Sequence, residues 1–191
     1  QGGDSIVGEG WYNELVIIPY PDSDSLFYIF SIGVTGSSQS GLYYSIVDMS
    51  ANGGLGAVIQ KNVQLHNYKS ADGLTAIKHG NGRDWWIINR RWNNINNTFY
   101  KYLITPSGVS DSMPQNIGYA NNAAVARMQF SNSGNKLAHY NGGGLLELYD
   151  FDRCTGLLSN LNTVYPQLMQ APLPWYWSTC FSPDDNLLYI S

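Results

Sequence analysis

One pattern constrains this chain more than any other. A short apolar strand, a polar turn and a second strand recur four times along the sequence. It is clearest between Leu74 and Ser110. There the apolar runs Leu74 to Ile77, Trp85 to Ile88 and Phe99 to Ile104 are separated by Gly80-Asn81-Gly82-Arg83-Asp84 and by the polar run Trp92 to Asn97. Short apolar runs broken by Gly, Asn and Asp mark antiparallel strands joined by turns, a β-meander. First strands begin at Leu15, Leu74, Val125 and Trp177, so the unit recurs at roughly 50 to 60 residues. They lead into turns at Pro21 to Ser25, Gly80 to Asp84, Ser131 to Asn135 and Pro183 to Asp185. Second strands follow at Leu26 to Ile32, Trp85 to Asn89, Lys136 to Tyr140 and Leu187 to Ile190. Third strands are predicted at Leu42 to Met49, Phe99 to Ile104 and Leu145 to Phe151, and outer fourth strands at Val58 to Leu65, Gln115 to Tyr119 and Thr163 to Leu168.

A unit of this length with four short strands has the size and content of a β-propeller blade. One such sheet cannot bury both of its faces, so neighbouring sheets must stack around an axis. The prediction is an all-β chain of four-stranded antiparallel blades of the WD40/YVTN-like kind, forming an incomplete ring of about three and a half blades. Blade limits fall near 11–68, 69–120 and 121–172, with a further blade starting at 173–191. Closing a ring takes at least ~4 blades, so the sequence reads as a fragment. The remaining blades of the same protein, or another chain, would complete it. An open β-sandwich also uses short strands, but the 50-residue period argues against it. Composition agrees: 14 Tyr, 6 Trp and 20 Gly accompany no long run of apolar residues at helical spacing.

Charge excludes some partners. With 13% charged residues, a net charge of -4 and a pI near 5.1, no basic stripe faces a nucleic acid. No apolar run reaches the roughly 18 residues of a membrane span, and the opening QGGDSIVGEGW lacks the features of a signal peptide. No metal or cofactor site and no catalytic set is legible. His66, His79 and His139 are scattered without zinc-type spacing. His79, ahead of the Gly80 turn, is expected to tie down turn backbone, and Asp84 to accept backbone amides there. Asp22, Asp24, Asp150, Asp152, Asp184 and Asp185 follow the repeated turns rather than a calcium-loop ladder. Gly53-Gly54-Leu55-Gly56 and Gly142-Gly143-Gly144 lie beside strands with no helix after them, and so are turn glycines.

Six aromatics, Trp85, Trp86, Trp92, Trp175, Tyr176 and Trp177, could stack on a ligand. Trp85 and Trp86 are adjacent in a strand, so each faces a different neighbouring blade. Trp92, in a polar loop with Arg90 and Arg91, is the surface-contact candidate. Cys154 and Cys180 fall at successive blades and are expected to form a disulfide. That bridge would close about 26 residues and contribute about 3.5 kcal/mol in the chain-entropy model. A bridge fits an exported protein, and free thiols a cytosolic one.

The strings GLYYSIVDMSANGGLGAVIQKNVQL, GLTAIKHGNGRDWWII, FYKYLITPSGV, LLELYDFDRCTGLLSN and FSPDDNLLYIS together resemble the propeller region of large exported Bacteroidota proteins. Those proteins carry PKD-type modules and a gliding-motility-associated or type IX secretion C-terminal domain. The resemblance implies a secreted or cell-surface location and no catalytic residues to carry over. The function expected from it is a non-catalytic scaffold or adhesion module binding glycan or protein at the cell surface. The alternative is a propeller enzyme, a lyase or hydrolase, with a central-channel site that further blades complete. Carboxylates or histidines from different blades meeting at the axis would separate the two, since fold alone does not.

Overall fold

Each recurring unit folds into its own antiparallel sheet. The computed structural model describes residues 1–8, 13–34, 37–92, 95, 97–120, 125–142, 144–164 and 178–191. In the first sheet β1 (Leu15–Pro19), β2 (Leu26–Gly33), β3 (Gly41–Asp48) and β4 (Ala57–His66) pair in chain order. The second holds β5 (Thr75–Lys78), β6 (Trp85–Arg90) and β7 (Thr98–Thr105), with β8 (Gly108–Val109) and β9 (Met113–Asn116) both paired to β7. The third is β10 (Ala126–Phe130), β11 (Lys136–Asn141), β12 (Leu146–Phe151) and β13 (Leu158–Val164). A hairpin of β14 (Thr179–Phe181) and β15 (Leu188–Ile190) begins a fourth. Among the described residues the one helical segment is a single turn, Ala51–Gly54.

The turn between the first two strands repeats its geometry. The amides of Gly82, Gly134 and Asp185 donate to the carbonyls of His79, Ser131 and Ser182. The donating residue holds φ of +75°, +75° and +58° in turn, the left-handed region that Gly enters freely and Asp tolerates. The acidic residues of these turns are therefore accounted for by turn chemistry. Asp185 also reaches sideways, accepting the amides of Asn132 (2.7 Å) and Ser133 (2.8 Å) in the turn of the preceding sheet.

The sheets bury their faces on one another, because alternate residues along a strand point to opposite sides. Tyr28, Phe30 and Ile32 of β2 pack with Leu74, Ile87, Tyr102 and Ile104 of the second sheet. Trp86, Ile88 and Phe99, on the other side of that sheet, pack with Met128, Phe130, Leu137 and Tyr149 of the third. Trp85 and Trp86 divide between these two cores as the sequence predicts. The first strands β1, β5, β10 and β14 lie successively beside one another, which makes them the inner strands around a common axis. This is the radial arrangement of propeller blades, and a two-layer sandwich does not describe it.

Two outer strands differ from expectation. In the second sheet the outer strand is Met113–Asn116 rather than Gln115 to Tyr119, and β8 takes the other half of that edge. Ser110 causes the split: its hydroxyl accepts the Leu103 amide at 2.9 Å and its own amide donates back to the Leu103 carbonyl. In the third sheet the outer strand is Leu158–Val164 rather than Thr163 to Leu168, of which 165–168 lie outside the described residues. Asp152 brings it forward by accepting the amides of Cys154 (2.8 Å) and Thr155 (3.3 Å), closing a turn that ends at Gly156.

Candidate functional site

After its outer strand the chain returns to the inner strand of the next blade, and the first return places a carboxylate at the axis. Residues 70–72 of this segment are nearly buried, with Asp72 8% exposed. The Ala71 amide donates to the Arg90 carbonyl at 2.9 Å and the Leu74 amide to the Asn13 carbonyl at 2.8 Å, tying the segment to β6 on one side and to the head of β1 on the other. The Asp72 carboxyl therefore meets Glu14, the residue before β1, and hydrogen bonds to it. Gly73 follows with φ +95°, and a Cβ there would stand 2.7 Å from the Arg127 Cα of β10. Only glycine fits so close an approach. Glu14, Asp72 and Arg127 thus come together from three successive blades.

Burial pushes the Asp72 carboxyl up, and the Glu14 charge and hydrogen bond push it further. Arg127 offsets part of this, leaving Asp72 raised to about 7. Two carboxyls in contact cannot both ionise cheaply, so Asp72 keeps its proton to a higher pH than an ordinary aspartate. Across from Arg127, Tyr140 of β11 is 4% exposed. Burial raises its hydroxyl, while Arg127 and a hydrogen bond with Thr179 of β14 act the other way. A carboxylic acid poised near neutrality next to a second carboxyl can give and take a proton in one site. Arg127 supplies a fixed positive charge for an anionic group. Among the described residues no three His, Cys, Asp or Glu lie together to hold a metal ion, and the guanidinium beside this pair would repel one.

None of these three residues stands out in the sequence. Of the candidates that do, Arg90 is not on the surface. It is fully buried between the second and third sheets, where its Nη1 lies 2.6 Å from Glu147 Oε2 and 2.7 Å from His139 Nδ1. Glu147 Oε1 accepts the Tyr119 amide at 2.7 Å, and Arg90 Nη2 donates to the Tyr119 carbonyl. Burial and the Arg90 charge hold His139 down to about 4. Burial alone would raise Glu147, but its bond to His139 and the Arg90 charge hold it down to about 2. Alternation along β6 explains the correction, since Arg90 shares a face with the core residues Trp86 and Ile88. Arg91 and Trp92 do border a surface cleft. Trp175, Tyr176, Trp177 and Gly143 lie outside the described residues.

The expected Cys154–Cys180 disulfide is not formed, and both thiols are free and exposed. Cys154 is held toward the second sheet: its carbonyl meets His79 Nε2 at 2.9 Å and its Sγ packs against Gly80. Cys180 belongs to β14, on the other side of the third sheet. His79 ties down turn backbone as predicted, with Nδ1 also accepting the Asn81 amide at 3.0 Å. Asp84 differs, because its carboxylate takes the side chains of Arg83 (2.7 Å) and Asn81 (2.8 Å). Asn81 Oδ1 receives the backbone amides of Arg83 and Asp84 instead, both at 3.0 Å.

No protein-family model matches the sequence, and no curated protein matches it. Solved structures do. The periplasmic gluconolactonase PpgL of Pseudomonas aeruginosa superposes with a TM-score of 0.58 at 11% identity, over 91% of this chain and 45% of the gluconolactonase. This chain therefore spans less than half of that protein's length. A luciferin-regenerating enzyme aligns with a TM-score of 0.42 at 16% identity, over 97% of this chain and 68% of its own. The first likeness shows a shared propeller fold. It also corrects the expectation of a non-catalytic scaffold or adhesion module, since the fold in that neighbour is an enzyme's and the inner strands here bring together the carboxylates which that expectation held to be absent.

Proposed function

We propose that this chain forms part of a propeller enzyme, a hydrolase or lyase, whose acid–base site lies at the inner strands of these blades. The observation that carries this reading is the meeting of Glu14 and Asp72, from two blades, beside Arg127 from a third. Asp72 in its protonated form donates to a leaving oxygen, Glu14 as the carboxylate takes a proton, and Arg127 holds the negative charge of the substrate. The gluconolactonase neighbour supports a small hydroxylated carboxylic acid derivative as the class to try first. An exported location, implied by the sequence resemblance, belongs to the same proposal.

The test is turnover of sugar lactones and uronate-containing saccharides by the purified chain and by Asp72→Asn and Glu14→Gln. Both substitutions keep side-chain shape and should lower kcat by at least about 100-fold. Activity in the unsubstituted protein should fall as the pH rises through about 7, where Asp72 loses its proton. Turnover unchanged in both variants would overturn the assignment.

A further inference from the structure

The same ring face carries a second feature that the acid–base site does not use. A cleft of about 630 Å³ opens between the first two blades, lined by Ser38, Gln64, Asn67, Lys69, Arg91 and Trp92 among others. Among the described residues two cations line it and no carboxylate does, in a chain whose net charge is -4. Among the described residues neither Lys69 nor Arg91 forms an ion pair. Each is held in place by an aromatic ring: Lys69 Nζ lies 5.4 Å from the Trp92 ring and the Arg91 guanidinium 5.1 Å from that of Tyr68. The wall is fixed too, with Gln64 Nε2 donating to Tyr43 Oη (2.8 Å) and to the Ser40 carbonyl (3.2 Å). The rest of the lining is hydroxyl and amide, suited to sugar hydroxyls rather than to apolar side chains of a peptide.

The cleft is joined to the acid–base site by a very short piece of chain. Lys69 precedes Asp72 by three residues, a reach of at most about 10 Å. Backbone bonds keep the intervening segment flat against β6: Trp92 amide to Lys69 carbonyl at 3.0 Å, and Ala71 amide to Arg90 carbonyl at 2.9 Å. We infer that the substrate is an acidic oligosaccharide, with one sugar carboxylate at Arg127 and the neighbouring carboxylates held over the cleft by Lys69 and Arg91. This rests on the enzymatic reading above and names the substrate class of that site.

The probe is a galacturonic acid tetrasaccharide, compared with its fully methyl-esterified form and with tetraglutamate, by calorimetry on the whole chain. The acid form should bind, the ester at least about tenfold more weakly, and added salt should weaken binding further. Lys69→Glu and Arg91→Ala should each weaken it by roughly tenfold, with Arg91→Lys intermediate. Lys69 is exposed, so Lys69→Glu keeps the fold if Arg91→Ala does not. Asp72→Asn and Glu14→Gln should lose turnover while still binding the acid form at least about tenfold more tightly than the ester. Ester binding equal to acid binding, tetraglutamate binding as tight, or no effect of Lys69→Glu would overturn the inference and leave the acid–base site to be judged on its own variants. Charge-dependent binding at the cleft without turnover would instead sink the enzymatic reading on which the inference rests.

Discussion

Replacing Glu147 by Gln tests how the second and third blades are held together. Arg90, His139 and Glu147 are each fully buried, and the ion pair is 2.6 Å long. The Gln side chain keeps the shape and accepts the Tyr119 amide, but leaves the Arg90 guanidinium without its counter-charge. Breaking a buried pair from one side costs about 3–5 kcal/mol, because the remaining charge stays buried. For a domain of this size about 2–4 °C of Tm goes with each kcal/mol, so the midpoint should fall by roughly 10 °C at pH 7.5. Urea and thermal unfolding followed by tryptophan fluorescence reads the change, since Trp86 lies in the core between the same two blades. The paired variant Arg90→Met with Glu147→Leu should recover much of the loss, as apolar replacement of whole buried pairs often does. A cost below about 1 kcal/mol for Glu147→Gln, with no coupling to Arg90, would refute the claim that this network joins the blades.

The same network predicts acid sensitivity. His139 titrates near 4 when folded against 6.5 when unfolded, so its own contribution to stability is full above about pH 6.5 and falls by about 3 kcal/mol toward pH 4, while the raised Asp72 carboxyl contributes in the opposite sense over the same range. The urea midpoint of the unsubstituted chain should therefore drop relative to that of His139→Gln as the pH is lowered from 6.5 toward 4. Gly73→Ala should destabilise the chain by about 2 kcal/mol or more, since it meets both a left-handed φ and the Arg127 backbone. A wild-type midpoint in that variant would show that the segment is not pressed against β10. Cys154 and Cys180 should both react with a thiol reagent in the folded protein without prior reduction, and two unreactive sulfurs would contradict the free thiols.

What the sequence discloses follows from which interactions are local. WWIINR and TFYKYLIT read as strands because alternation and β-branched or aromatic content are local properties, and β6 and β7 stand where they predict. The turns were legible for the same reason. The outer strands of the second and third sheets were not, because side-chain bonds from Ser110 and Asp152 decide where each begins. Arg90 beside Arg91 looked like a surface pair, and only the opposite facing of neighbours along a strand, together with Glu147 from another blade, puts it inside. Glu14, Asp72 and Arg127 lie in three different units. Each is an ordinary charged residue until the sheets stack, although all three sit at the head of a first strand, a signal that aligning the repeats on those strands would have exposed. The cysteine pairing failed because the Asp152 turn leans on the preceding sheet rather than the following one.

The most direct test of the paired carboxyls is the titration of the Asp72 side-chain carbon, followed by carbon-13 NMR in the intact chain and in Glu14→Gln. A midpoint displaced to about 7 is expected, moving back toward the ordinary aspartate value once the Glu14 charge is removed. A midpoint near 3.8 in the unsubstituted protein, or one indifferent to Glu14→Gln, would contradict the account.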